Sequence, residues 1–296
     1  MGERLPSYGG QAVIEGVLMR GKTALAMAMR APSGEIVIHT EKLTGIYTSN
    51  LSRIPFVRGL VALWDALGLG IRLLTVSANQ QTGEDEKIEG PTLYITLAVS
   101  LSIGIGLFFL LPALAGHFSD NIFKWSPWWG NLVEGIIRLV LLVVYIWAIG
   151  KMPDIQRVFA YHGAEHKTIN AFEAGAELTP ESVSRFSREH PRCGTAFLLT
   201  LMVISVLVFS LLGPLPVWTR LISRVVMIPV IAGIAYEYIR WTANHLDSPL
   251  VRILVRPNLA LQNLTTREPS LDIIEVSIAA FNCMLDKEIE AKTVVA

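Results

Sequence analysis

The chain has 296 residues, of which 52% are hydrophobic and only 17% charged. A water-soluble domain carries roughly 25% charged residues, so this chain lacks the charge to cover a water-facing surface, and its mean hydropathy of +0.47 suits a multi-pass membrane protein with polar parts. Lys and Arg number 25 against 25 Asp and Glu, and there are 2 cysteines, which excludes a basic nucleic-acid binder, a secreted disulfide scaffold and a Cys-only zinc site.

Residues 1–53 read as a cytosolic β-rich segment with no signal-peptide h-region. Residues 11–19 form a mostly apolar run, and 24–30 and 35–41 flank the hairpin signal Pro32-Ser33-Gly34. Glu15 interrupts the first run; it either faces solvent, as most carboxylates do, or points at a site. Residues 54–91 read as an amphipathic membrane-associated helix followed by the acidic linker 79–89. In the helix, Arg58, Asp65 and Arg72 fall seven apart on one stripe. That pattern fits a helix in the membrane plane with its charges towards water; a segment inserted into the membrane is the alternative.

Four stretches then reach the roughly 20 apolar residues that a bilayer span needs: 92–116 and 132–150, a first pair within 92–150, then 195–213 and 221–241, a second pair within 195–241. The second stretch carries Glu134 and Arg138 at i,i+4, a pair that can neutralise itself. The fourth carries Arg224, Pro229, Glu237 and Arg240. Nine Lys and Arg precede the first span, six lie between the second and third and five follow the fourth, whereas Lys124 alone lies between the first two. The positive-inside rule therefore puts both termini and the middle loop 151–194 in the cytoplasm, with Trp125, Trp128 and Trp129 as an outer aromatic belt. The tail 242–296 ends in an amphipathic helix with Ile274, Ile278, Phe281 and Leu285 on one face, which needs the N-terminal β segment as its apolar partner. The expected fold is an α-helical multi-pass membrane protein of about four spans, with a cytosolic α+β portion built from the N-terminal segment, the middle loop and the tail.

The chemistry concentrates in 161–173. If this stretch is helical, His162 and His166 share a face one turn apart and can share a metal ion, and Asn170 and Glu173 follow on the same side. Glu165 beside them is placed to act as a base on a metal-bound water, and the string fits the H-x-x-E-H pattern. Gly163 disfavours a helix by about 1 kcal/mol, so a loop whose histidines merely bond helix ends is the plain alternative. His190-Pro191-Arg192-Cys193-Gly194 stands just before the third span, and His245 and Asp247 follow the fourth. Topology brings them to the same membrane face, which makes Glu173, His190, Cys193 and His245 candidates for the remaining ligands. The metal expected is divalent, zinc preferred.

The runs Gly9-Gly10-Gln11-Ala12-Val13-Ile14-Glu15-Gly16-Val17-Leu18-Met19-Arg20-Gly21, Pro55-Phe56-Val57-Arg58-Gly59, 161–175, His190-Pro191-Arg192-Cys193-Gly194-Thr195 and Leu264-Thr265-Thr266-Arg267-Glu268-Pro269 span nearly the whole chain in order. In them the chain resembles the bacterial YqhQ family, multi-pass membrane proteins of unknown function that carry the label of a metal-dependent enzyme. The resemblance implies a bacterial cytoplasmic-membrane protein and names no substrate. Two functions are open on the sequence: a metal-dependent enzyme, such as a hydrolase, at the cytoplasmic membrane face; or a non-catalytic scaffold, assembly factor or oligomeric pore. The expected partners are the lipid bilayer and other membrane proteins or a second copy of the chain.

Overall fold

The computed structural model describes residues 8–43, 54–82, 90–124, 127–212 and 215–293. The expectations for 1–7 and 44–53, and most of the acidic linker, lie outside these residues. In chain order the elements are β1 (Gly9–Val13), β2 (Gly16–Arg20), β3 (Ala24–Arg30), β4 (Ile36–Lys42), α1 (Val57–Gln81), α2 (Gly90–Ile105), a π-helical turn (Gly106–Leu110), α3 (Leu111–Phe123), α4 (Pro127–Ile149), α5 (Pro153–Glu173), α6 (Pro180–Val183), α7 (Gly194–Leu211), α8 (Val217–Val226), α9 (Ile228–Ala243), α10 (Pro249–Thr265) and α11 (Leu271–Thr293).

The strands form an antiparallel meander in the order β1-β2-β3-β4. The apolar run 11–19 is therefore two strands, folded back at Ile14-Glu15 with Glu15 in the left-handed region at φ 52°. Both faces of the sheet are covered, which is why β2 and β3 read as continuous apolar runs and not as alternating ones. Val17, Met19, Ala26 and Ala28 face α5 and α11, packing against Tyr161, Ala164, Ile274 and Phe281. Val13, Leu18, Leu25 and Met27 face the other way, onto Leu73 of α1. The small side chains Ala26 and Ala28 let α11 approach the sheet, and Glu288 near its far end accepts the Lys22 and Thr23 N–H groups of the β2–β3 turn. Deleting residues 271–293 should uncover the part of this face that α11 covers, removing Ile274, Phe281 and Met284 from the core. Each buried side chain of this size is worth roughly 1.5–3 kcal/mol. Limited proteolysis should then cut within 8–43 at protease levels that leave the full chain intact.

Among the described residues, four helical stretches are long and apolar enough to cross a membrane: Gly90–Ser119, Trp128–Ile149, Gly194–Leu211 and Trp218–Ala243. The first is interrupted by the π-helical turn. In an α-helix the Phe108 carbonyl would accept from residue 112, but Pro112 has no N–H; Arg138 Nε of α4 donates to that carbonyl at 2.9 Å instead. The fourth is two helices, α8 and α9, that meet at Met227 just before Pro229.

Burial in this layer is the reverse of that in a water-soluble protein. In α8, Arg220 and Arg224 are buried, while Trp218, Ile222 and Val226 are 77%, 62% and 63% exposed. Helix α2 is apolar and has no buried residue at all. Inside the layer Glu134 is the hub of a buried polar cluster. It accepts from Arg138 at 2.7 Å and from Arg224 at 2.9 and 3.1 Å. Asn131 accepts from Arg224 at 3.2 Å, and the Arg224 guanidinium lies 4.1 Å from the centre of the Phe209 ring. The sequence reading paired Glu134 with Arg138 alone; Arg224 completes the group because the break at Met227 turns the charged face of α8 inward.

Helix α10 differs from the reading of 242–296 as a tail. It packs along α7 and α4, with Leu261 against Leu142 and Ile146, and Asn258 donating to Thr200 at 3.2 Å. This packing delivers the end of α10 to the site described next.

Candidate metal centre

Residues 153–173 are helical. Pro153 at the first turn and Asp154 beside it favour a helix start. Gly163 is no breaker here, because its missing side chain is what the packing requires. A Cβ at Gly163 would collide with the Arg267 carbonyl oxygen, so only glycine lets the segment after α10 lie against α5. Two backbone carbonyls then reach the two imidazoles. Thr265 O accepts from His162 Nδ1 at 2.9 Å, and Arg188 O accepts from His166 Nδ1 at 2.6 Å. With Nδ1 protonated in both rings, both Nε2 atoms carry free lone pairs. His162 Nε2 lies 3.2 Å from Cys193 Sγ. His166 Nε2 is buried and has no hydrogen-bond partner. The donor atoms of His162, His166 and Cys193 all lie within 4.8 Å of one another, and the rings of the two histidines are 4.4 Å apart.

Cys193 is the N-cap of α7, where its sulfur accepts the Thr195 N–H at 3.4 Å. The loop before Cys193 is held from several sides. Lys167 Nζ donates to the Ser184 and Phe186 carbonyls, and Asn170 donates to those of Ser187 and Glu189. Gln262 of α10, fully buried, both accepts from and donates to the His190 backbone, at 2.9 and 2.8 Å.

The other expected ligands fall outside the group. Glu173 is taken by Arg192, with His190 Nε2 a further 3.8 Å contact. Burial alone would raise the Glu173 carboxyl, but His190 and Arg192 hold it below the usual carboxylate range. His190 stacks near His166, with ring centres 5.7 Å apart, and burial lowers its pKa. These two residues position Cys193 through Arg192. His245 is exposed, and its Nδ1 donates to Trp241 O of its own helix end, so it does not join the group. Asp247 is exposed as well.

Glu165 is buried, one of its oxygens has no partner, and burial pushes its pKa up to about 7 against the lowering effects of His162 and the Gly10 N–H. A Cβ at Gly10 would press on the Leu18 carbonyl and on the Glu165 side chain, so β1 needs glycine to make room for this carboxyl. Glu15 neither faces solvent alone nor enters the site. It pairs with Arg157 and accepts from Tyr161 Oη at 3.3 Å, clamping the β1–β2 turn to α5. The glycine-rich N-terminal signature thus serves the site helix.

The family profile described as "Protein of unknown function (DUF1385)" matches residues 54–287, which include both histidines, Cys193 and Gln262. The chain belongs to the DUF1385 family. Within that family it is 36% identical over 303 residues to the "Uncharacterized protein YqhQ" of Bacillus subtilis (strain 168), covering 96% of this chain and 93% of that one. No solved structure matches. Neither description names a reaction, so the chemistry of the site rests on its own atoms.

Proposed function

We propose that the chain is a metal-dependent enzyme of the bacterial cytoplasmic membrane, of hydrolase type. In this reading His162, His166 and Cys193 bind one divalent ion, zinc by preference. One observation carries it: a buried imidazole nitrogen, His166 Nε2, has no hydrogen-bond partner, on a residue whose ligand atom lies within 4.8 Å of those of His162 and Cys193. Leaving such an atom unsatisfied costs roughly 1–3 kcal/mol. The flanking groups support the same reading, because metal-bound histidines commonly donate their second N–H to a backbone carbonyl. The spacing fits too. Bonds of about 2.0–2.1 Å to nitrogen and 2.3 Å to sulfur put tetrahedral neighbours about 3.6 Å apart. The 3.2 Å between His162 and Cys193 needs to open by only a few tenths of an ångström to meet that.

Three protein ligands leave a fourth position, the pattern of catalytic and not of structural zinc sites. A metal there would supply a nucleophilic water and polarise a carbonyl or phosphoryl oxygen. Glu165, one residue from His166 and screened from bulk water, is the proton acceptor in this reading. The exposed apolar surface of the four long helices and the Lys/Arg asymmetry of the loops support a site at the cytoplasmic face, with both termini on that side.

The test is metal analysis of the full chain purified in detergent. Wild type and Glu165→Gln should hold about one zinc per chain, as should His245→Ala, since that residue lies outside the group; His166→Ala should lose it. Monodisperse wild type that neither retains nor takes up zinc overturns the proposal.

A further inference from the structure

Helix α1 was read as lying in the membrane plane with Arg58, Asp65 and Arg72 towards water. The structure turns two of these charges elsewhere. Arg58 is paired with Glu237 of α9, which also accepts the Phe56 N–H at 3.0 Å and so caps the start of α1. Arg72 is paired with Glu41 of β4. The exposed face is instead apolar. Leu60, Trp64, Ile71 and Leu74 are 38%, 67%, 36% and 38% exposed, and at 3.6 residues per turn they fall within an arc of about 80°.

The depth of this face follows from what α1 touches. Gly59 meets α9 at Gly233 and Tyr236, so closely that a Cβ at Gly59 would lie 2.9 Å from Tyr236 Cβ. Gly233 stands about 15 Å along the helix from the end of α9 at Ala243, at a rise of 1.5 Å per residue, which is half the roughly 30 Å of a hydrocarbon core. The other end of α1 is on the sheet: Ser77 accepts the Ile14 N–H at 3.2 Å and Gln81 donates to Arg30 O at 2.8 Å. The sheet packs on α5, which begins at Pro153 directly after the span helix α4 ends at Ile149. It therefore sits at the end of the span layer where α4 and α9 finish. Leu43 belongs to the sheet core, and by Phe56 the chain is beside the middle of α9.

We propose that α1 is a re-entrant segment: its first turns are buried in the bilayer beside α9, and its Leu60–Trp64 face is covered by lipid acyl chains, not by a second protein chain. The face is continuous with the exposed apolar surface of the span layer, and Lys42 and the Arg72–Glu41 pair border Trp64 where α1 emerges. Such placement suits headgroup-level cations above an apolar stripe. The inference rests on the membrane reading given above.

The test is hydroxyl-radical footprinting of the full wild-type chain in nanodiscs of phosphatidylethanolamine and phosphatidylglycerol, holding one copy per disc. The expected result is loss of oxidation at Phe56 and Trp64, to the level of Ile103, 64% exposed near the centre of Gly90–Ser119, with Ile38 of the sheet still oxidised. If Trp64 oxidises like Ile38 while Ile103 stays protected, the re-entrant placement is wrong and the membrane reading stands. If Ile103 oxidises too, the membrane reading itself fails. Protection of Trp64 only in discs holding two copies would replace lipid by a second chain as the occupant and overturn the proposal.

Discussion

Replacing Glu134 by alanine should be among the most damaging single changes in the chain. Glu134 is 1% exposed and is the carboxylate partner of Arg138 and Arg224, which are 3% and 2% exposed. Without it two guanidiniums remain buried in an apolar layer, and breaking a buried ion pair from one side costs roughly 3–5 kcal/mol. Asn131 and the Phe209 ring soften the loss for Arg224 only. Thermal unfolding in detergent should show a large fall in midpoint, or aggregation during purification. Replacing Glu134, Arg138 and Arg224 together by methionine should recover most of the stability, because no uncompensated charge is then left. A triple variant no better than Glu134→Ala would show that the polar cluster has a role beyond charge compensation.

Gly163→Ala should damage the site without touching a ligand. The new Cβ collides with the Arg267 carbonyl oxygen, so the 265–268 segment must retreat from α5. Thr265 O then loses its bond to His162 Nδ1, and the ring loses the contact that fixes its tautomer. Overpacking of this kind costs typically 1–3 kcal/mol, and loss of an outer-shell partner of a metal histidine costs about 10–100-fold in metal affinity. Competition with a chromophoric chelator should show weaker zinc binding in this variant with the ligand set intact. Affinity equal to wild type would mean that the Thr265 carbonyl does not hold the ring in place.

Much of this was legible in the chain because hydropathy and helical period act locally. The four long apolar helices, the hairpin around Gly34 and the shared face of His162 and His166 all follow from patterns within one segment. What was illegible depends on where segments meet. Glu173 does lie on the face expected of it, but Arg192 from another segment claims it. His245 was expected on the same membrane side as the site, yet the end of α9 holds it by its own carbonyl. Gln262 and the Thr265 carbonyl carry no sequence signal for the site, since both arrive on α10, which was read as tail and instead packs in the span layer. Gly163 weakened the helix reading on propensity alone; its use became visible only once the opposing backbone was in place.

The most direct test of the three-ligand centre is the absorption spectrum of the full chain loaded with Co(II) in place of zinc. A thiolate-to-cobalt charge-transfer band with strong visible d–d bands is expected for a four-coordinate site with one sulfur ligand. Cys193→Ser should remove the charge-transfer band and keep weaker d–d absorption, and His166→Ala should remove both. A wild-type chain that shows only the weak spectrum of hydrated cobalt, or a charge-transfer band that survives Cys193→Ser, would contradict the assignment.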